Sequence, residues 1–139
     1  MRSGILISML FIVCLSCKRQ APEDHIPNLQ GYWEIEQVIL SDGSVRNFEI
    51  NTLIDYIEVQ GDSGARKKLA PKLDGSFRTT KVSEKFYLKT DADSLRLHYK
   101  TPFSEWTETV LKSGDSLLQV RNEDGKIYTY KRFKPINLN

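Results

Sequence analysis

Leu29-Gln30-Gly31-Tyr32-Trp33-Glu34-Ile35-Glu36-Gln37-Val38-Ile39-Leu40 is the stretch whose reading decides the fold. Trp33, Ile35 and Ile39 share one face with Gln37, while Glu34 and Glu36 fall on the other. Alternation with a period of two marks a half-buried strand. Ser41-Asp42-Gly43-Ser44 then breaks the pattern with residues suited to a turn.

Outward from this strand the same grammar repeats. Strand-length segments rich in β-branched and aromatic residues run over Val45 to Ile50, Thr52 to Gln60, Phe77 to Val82, Glu84 to Thr90, Ser94 to Lys100, Glu105 to Lys112, Ser116 to Arg121 and Lys126 to Phe133. Between them stand turn signals about every ten residues. They are Gly61-Asp62-Ser63-Gly64, Leu73-Asp74-Gly75-Ser76, Asp91-Ala92-Asp93, Thr101-Pro102, Ser113-Gly114-Asp115 and Asn122-Glu123-Asp124-Gly125. No helix-length window carries a sustained 3.6-residue apolar repeat, so the chain reads as all-β. A meander of about 8 to 10 antiparallel strands leaves two open edges unless the sheet closes. An up-and-down barrel is therefore the expected architecture. A two-sheet sandwich is the rival, but it needs crossovers that short, even turns do not favour.

At 139 residues the chain fits one domain with a single core. Apolar residues make up 40% and charged residues 27%, a globular rather than disordered balance. The formal charge is only +2, which argues against a nucleic-acid partner. Arg66-Lys67-Lys68 is the one basic cluster in the domain, and it reads as a solvated edge or loop that discourages strand addition.

The amino terminus reads as an address. Arg2 supplies a positive flank, and Ile5 to Ser16 is an apolar run that would span only ~18 Å as a helix, short of a ~30 Å hydrocarbon core. Residues 1–16 are thus expected to be a signal peptide. Cys14-Leu15-Ser16-Cys17 resembles a bacterial lipobox, with Cys14 standing where leucine is usual. The resemblance implies cleavage before Cys17, lipidation of its thiol, palmitate-type acylation of its new amine, and anchorage in a membrane of the cell envelope. Lys18 in the next position, rather than aspartate, implies the outer membrane. Cleavage removes Arg2 alone among the charged side chains, leaving a formal charge of +1, and it leaves Cys17 without a disulfide partner. Residues 17–28, polar and containing Pro22 and Pro27, read as the lipidated cysteine and a flexible spacer. The barrel is expected over 29–134, and 135–139 form a tail.

The Gly31-Tyr32-Trp33 opening, followed by an all-β meander, resembles the lipocalin-like proteins, particularly the short bacterial lipoproteins of that class. Those proteins begin their first strand with Gly-x-Trp and place an arginine near the last strand, across the tryptophan. The matching positions here are Gly31, Trp33 and Arg132, for which the resemblance implies a role in closing the barrel. It also implies a small apolar or amphipathic ligand inside the barrel. The alternative is a filled barrel serving as an adaptor, assembly factor or inhibitor on an envelope protein.

A ligand cavity is mostly apolar with a few placed polar groups. On this ground the candidate contacts are Gln37, Trp106, Glu108, Tyr128 and Tyr130. Glu108 stands between Trp106 and Val110 on one strand face, and Tyr128 and Tyr130 share a face with Arg132. Catalysis has little to work with. His25 lies in the spacer, and His98 alternates against Leu95, Leu97 and Tyr99 and is expected to face solvent. There is no His-x-x-x-His, Cys-x-x-Cys, nucleophile-elbow or phosphate-loop pattern, so neither enzyme chemistry nor a metal or cofactor is expected.

Overall fold

The computed structural model describes residues 19–135; the segment expected to be a signal peptide (1–16), Cys17, Lys18 and residues 136–139 lie outside them. The opening stretch becomes strand β1, Gly31–Ile39, followed by β2, Val45–Asn47, β3, Ile54–Gln60, β4, Ser63–Pro71, β5, Phe77–Asp91, β6, Ser94–Lys100, β7, Glu105–Ser113, β8, Leu117–Arg121, and β9, Ile127–Arg132. From β3 to β9 each strand pairs with its neighbour in sequence, and β9 returns to β1. Nine strands form the sheet, and all but β2 make a closed antiparallel barrel. Closure removes the exposed edges that an open meander would carry.

Strand β1 divides one of its edges. Gly31 to Trp33 pair with β3, while Gln37 to Ile39 pair with β2. In the gap between them the Ile35 carbonyl accepts from Asn51 Nδ2 at 3.0 Å, and the Glu36 carbonyl accepts from the Phe48 amide at 2.9 Å. The other edge pairs with β9 through a register shift between Ile35 and Gln37. That bulge carries one extra residue and reverses the alternation beyond it. Trp33 and Val38 are buried, and Gln37 faces outward, donating to Asn47 Oδ1 at 3.1 Å. The expectation that Gln37 shares the inward face with Trp33 is thus corrected, because strict alternation does not survive the bulge.

Three further expectations change. Residues 17–28 are not all spacer, since Pro22–Leu29 form helix α1. Pro22 opens it, where a missing amide costs nothing, and Glu23 and Asp24 occupy the positive first turn. Its buried face is only His25 and Leu29, spaced by one turn, too short a stripe to register as periodicity. Arg66-Lys67-Lys68 is neither edge nor loop, because β4 pairs with both β3 and β5. Finally, the two segments expected from Phe77 to Thr90 are one strand of 15 residues. The start of β5 reaches the outer wall, where Phe77 stacks on Tyr32 at 4.8 Å and meets Phe133 edge-on at 6.1 Å.

Helix α1 covers the barrel end where β1 begins and β7 finishes. Leu29 and Trp33 are fully buried and join Ile57, Leu95, Leu97, Val110, Leu118 and Val120 in one apolar cluster. The last carbonyls of a helix need donors from outside it. Trp33 Nε1 donates to the Leu29 carbonyl at 2.8 Å. Arg132 lies over the Trp33 ring, 3.7 Å from its centroid. The guanidinium donates to the carbonyls of Gln30 at 2.6 Å and Asn28 at 3.2 Å. It also reaches those of Asp115 at 2.9 Å and Gly114 at 3.3 Å. Gly31 has a φ of +127°, and a Cβ there would strike Arg132 Nη1. Glycine therefore serves both the backbone angle and the close approach.

His25 packs into the same end. Asn28 Nδ2 donates to Ser113 Oγ at 3.2 Å, and His25 Nδ1 lies 2.8 Å from that oxygen. The arrangement is satisfied when the serine hydroxyl donates to an unprotonated Nδ1. Burial lowers the His25 pKa below the usual 6.5, with Asp24 opposing in part.

Two predictions follow from this closed end. Arg132→Lys keeps the charge but loses the planar fork, and should destabilise the protein by about 1–2 kcal/mol in urea unfolding; an unchanged midpoint would contradict the fastening role. His25 binds its proton more readily unfolded than folded. Its contribution is therefore present above pH 6.5 and is lost as pH falls through the lower folded value. His25→Gln should reduce the loss of stability on moving from about pH 7.5 to about pH 5, and an identical slope in both proteins would refute the assignment.

Candidate ligand-binding site

Beyond the apolar cluster the barrel interior is crossed by a charged layer centred on Arg66. The residue lies on β4, opposite Ile57 of β3 and Glu84 of β5, and its side chain is only 11% exposed. Burying a guanidinium costs several kcal/mol unless its donors are satisfied. Arg66 Nη2 donates to Asp55 Oδ2 at 2.9 Å and to the Tyr130 hydroxyl. Nη1 faces Glu108 Oε1 and Oε2 at 3.3 and 3.4 Å and the Tyr99 hydroxyl at 3.5 Å. Lys68 Nζ takes the second oxygen of Asp55. The partners come from β3, β6, β7 and β9, so only the closed barrel assembles them.

The two carboxylates respond in opposite directions. Burial penalises the charge of Asp55, but Arg66 and Lys68 more than offset it and hold its pKa below the usual value. For Glu108 burial prevails over Arg66, with Glu84 and Asp55 adding repulsion, and its pKa is raised. Burial pushes the Tyr130 hydroxyl up to about 12 against the pull of Arg66, and moves Tyr99 upward likewise. Both phenols therefore keep their protons at neutral pH. The guanidinium stays charged, its pKa raised by the surrounding oxygens against the cost of burial.

The layer separates a filled half of the barrel from an open one. On its inner side Trp33, Asp55, Ile57, Leu118 and Tyr130 pack with Arg66 around a gap too small for a water molecule. On its outer side is a cleft of about 290 Å³ lined by Arg66, Lys68, Glu84, Trp106, Glu108, Tyr128 and Tyr130. The Trp106 indole is stacked on Tyr99, with centroids 5.0 Å apart and planes within 4°, so the aromatic wall is set by packing. A larger hollow of about 390 Å³ between β3, β4 and β5 is bordered by Glu58, Gln60, Lys85 and Tyr87. Those four side chains are exposed, and no buried charge orders the hollow, so the cleft above Arg66 is the better candidate.

Of the residues singled out from sequence, Trp106, Glu108, Tyr128 and Tyr130 meet in this cleft. Gln37 lies on the outer wall, and Gly31, Trp33 and Arg132 lie at the closed end. His98 is on the outer face of β6, partly covered, with Nδ1 2.9 Å from Thr107 Oγ1. His25 is buried rather than in a free spacer. Arg66, Lys68, Asp55, Glu84 and Tyr99 were missed. Asp55 offered a signal, being a carboxylate inside the apolar run Ile54-Asp55-Tyr56-Ile57. Among the described residues no group of three or more His, Cys, Asp or Glu side chains stands where it could hold a metal. No described helix is long and apolar enough to cross a membrane.

No protein-family model matches the chain, and no curated protein matches it significantly. Among solved structures, a lipocalin-like protein from Bacteroides uniformis superposes with a TM-score of 0.49 at 15% identity, over 76% of this chain and 99% of that one.

The layer predicts an asymmetry between its members. Arg66→Ala leaves buried Glu108 without its cation and Asp55 with Lys68 alone, and should cost about 3–5 kcal/mol in chemical unfolding. Glu108→Gln keeps the shape and removes a carboxylate whose charge burial disfavours, while Arg66 keeps Asp55, so its effect should be under about 1 kcal/mol. Equal losses in the two variants would show that the layer is not organised around the cation.

Proposed function

We propose that this chain is a small-molecule-binding barrel of the bacterial cell envelope, acting by binding rather than by catalysis. The observation that carries the reading is the cleft of about 290 Å³ above Arg66, with aromatic walls and a charged floor. Its ligand is amphipathic and sits at the mouth, because the interior below the floor is filled. Binding rather than catalysis is favoured because Asp55, Glu108, Tyr99 and Tyr130 are turned onto Arg66 and not toward an open reaction centre. Anchorage through lipidated Cys17 in the outer membrane rests on the Cys14-Leu15-Ser16-Cys17 pattern and on Lys18.

A second reading, of an adaptor or inhibitor acting on an envelope protein, draws on exposed apolar side chains in the links between strands. Phe103, in the link between β6 and β7, and Ile50, between β2 and β3, are 96% and 90% exposed. Apolar side chains left this open could be covered by a macromolecular partner.

Native mass spectrometry of the chain purified from its own source separates the two readings. A one-to-one small-molecule adduct is expected, removable by solvent extraction and weakened in Trp106→Ala. An adduct-free chain that carries a stoichiometric envelope protein would instead establish the adaptor.

A further inference from the structure

Charge accounting around the cleft gives the chemical class of its ligand, an inference that rests on the small-molecule reading above. Two cations border the space, and both are already committed. Arg66 directs Nη1 to Glu108 and Tyr99, and Nη2 to Asp55 and Tyr130; Lys68 is held by Asp55. Three carboxylates, Asp55, Glu108 and Glu84, oppose these two cations. Glu84 pairs with Arg66 in strand register, is half-buried, lines the cleft, and has no ion pair among those of the described residues. The site is therefore short of one positive charge, and an incoming anion would deepen that deficit while meeting an Arg66 whose Nη1 and Nη2 already face Asp55, Glu108, Tyr99 and Tyr130.

The walls point the same way. Trp106 and Tyr128 border the cleft together with Glu84 and Glu108, and the indole plane is fixed by its stack on Tyr99. An aromatic face attracts an ammonium group through its quadrupole, most strongly where water is displaced, and it covers an apolar body equally well. A volume of about 290 Å³ is at the lower end of small-molecule sites, which excludes a long acyl chain from the cleft. Glu108, with its pKa raised by burial and by Glu84 and Asp55 against Arg66, is the group that a new cation would relieve.

We propose that the cleft above Arg66 selects a small organic cation, a primary or substituted ammonium on an aromatic or short aliphatic body. The ammonium lies between Glu84 and Glu108, and the body rests on Trp106 and Tyr128. A matched series tests this on the full chain: 3-phenylpropylamine, 3-phenylpropanol and 3-phenylpropanoate, each titrated by calorimetry against the native protein, Glu84→Gln and Glu84→Lys. The amine should bind native protein at least about tenfold more tightly than the alcohol or the acid. Glu84→Gln should remove most of that preference, and Glu84→Lys should reverse it toward the acid. Equal binding of the three compounds, or an amine preference untouched in both variants, would overturn the cation assignment while leaving a small-molecule site in place. Binding of none of the three would overturn the assignment and count against the small-molecule reading as well.

Discussion

A guanidinium inside a barrel this small constrains what surrounds it. Withdrawing the charge of Arg66 from water costs several kcal/mol even after relaxation. The two carboxylates and two phenols that face it therefore answer a requirement of the fold. Replacing such a group with well-packed apolar residues is commonly neutral or stabilising. Stability alone thus gives no reason for the layer, whereas the binding role proposed above would. The layer also sets the depth of the site, because the apolar half beneath it has no space left to offer.

Arg132, at the closed end of the barrel, does a different job with the same chemistry. Arg132 serves backbone carbonyls rather than carboxylates, gathering the end of α1 and the turn before β8 onto the Trp33 face. Its planar fork lets one side chain supply donors in several directions. With α1 covering that end, the cleft above Arg66 lies on the far side of the charged layer from it. Gly31 and Trp33 thus take part in fastening the barrel, and the proposed cleft lies on the other side of the Arg66 layer from them.

The architecture was readable because turns and strand-length apolar segments recur along the chain, and a meander of that length has little choice but to close. What escaped the reading shares one physical cause: burial that depends on partners distant in sequence. Arg66 looked solvated because its neighbours Lys67 and Lys68 are charged, yet its hydrogen-bonding partners stand on four other strands. Helix α1 buries only two residues per its full length, and its terminal carbonyls are satisfied from β1 and β9 rather than by local capping. Gln37 was misplaced by a single extra residue at Glu36, which no local composition announces. That Trp106, Glu108, Tyr128 and Tyr130 share one face of the interior was easier to anticipate, because an acid flanked by apolar residues, and aromatics in the closing strand, are visible without knowing the partners.

The two tryptophans stand apart in the interior, Trp33 against α1 and Trp106 in the cleft, so each half reports through its own indole N–H. Following both signals by nuclear magnetic resonance while 3-phenylpropylamine is added tests most directly whether the ligand site lies above the Arg66 layer. The Trp106 signal should move with saturation while that of Trp33 stays in place. Movement of Trp33 instead of Trp106, or of neither, would contradict a half-filled barrel with its binding site at the mouth.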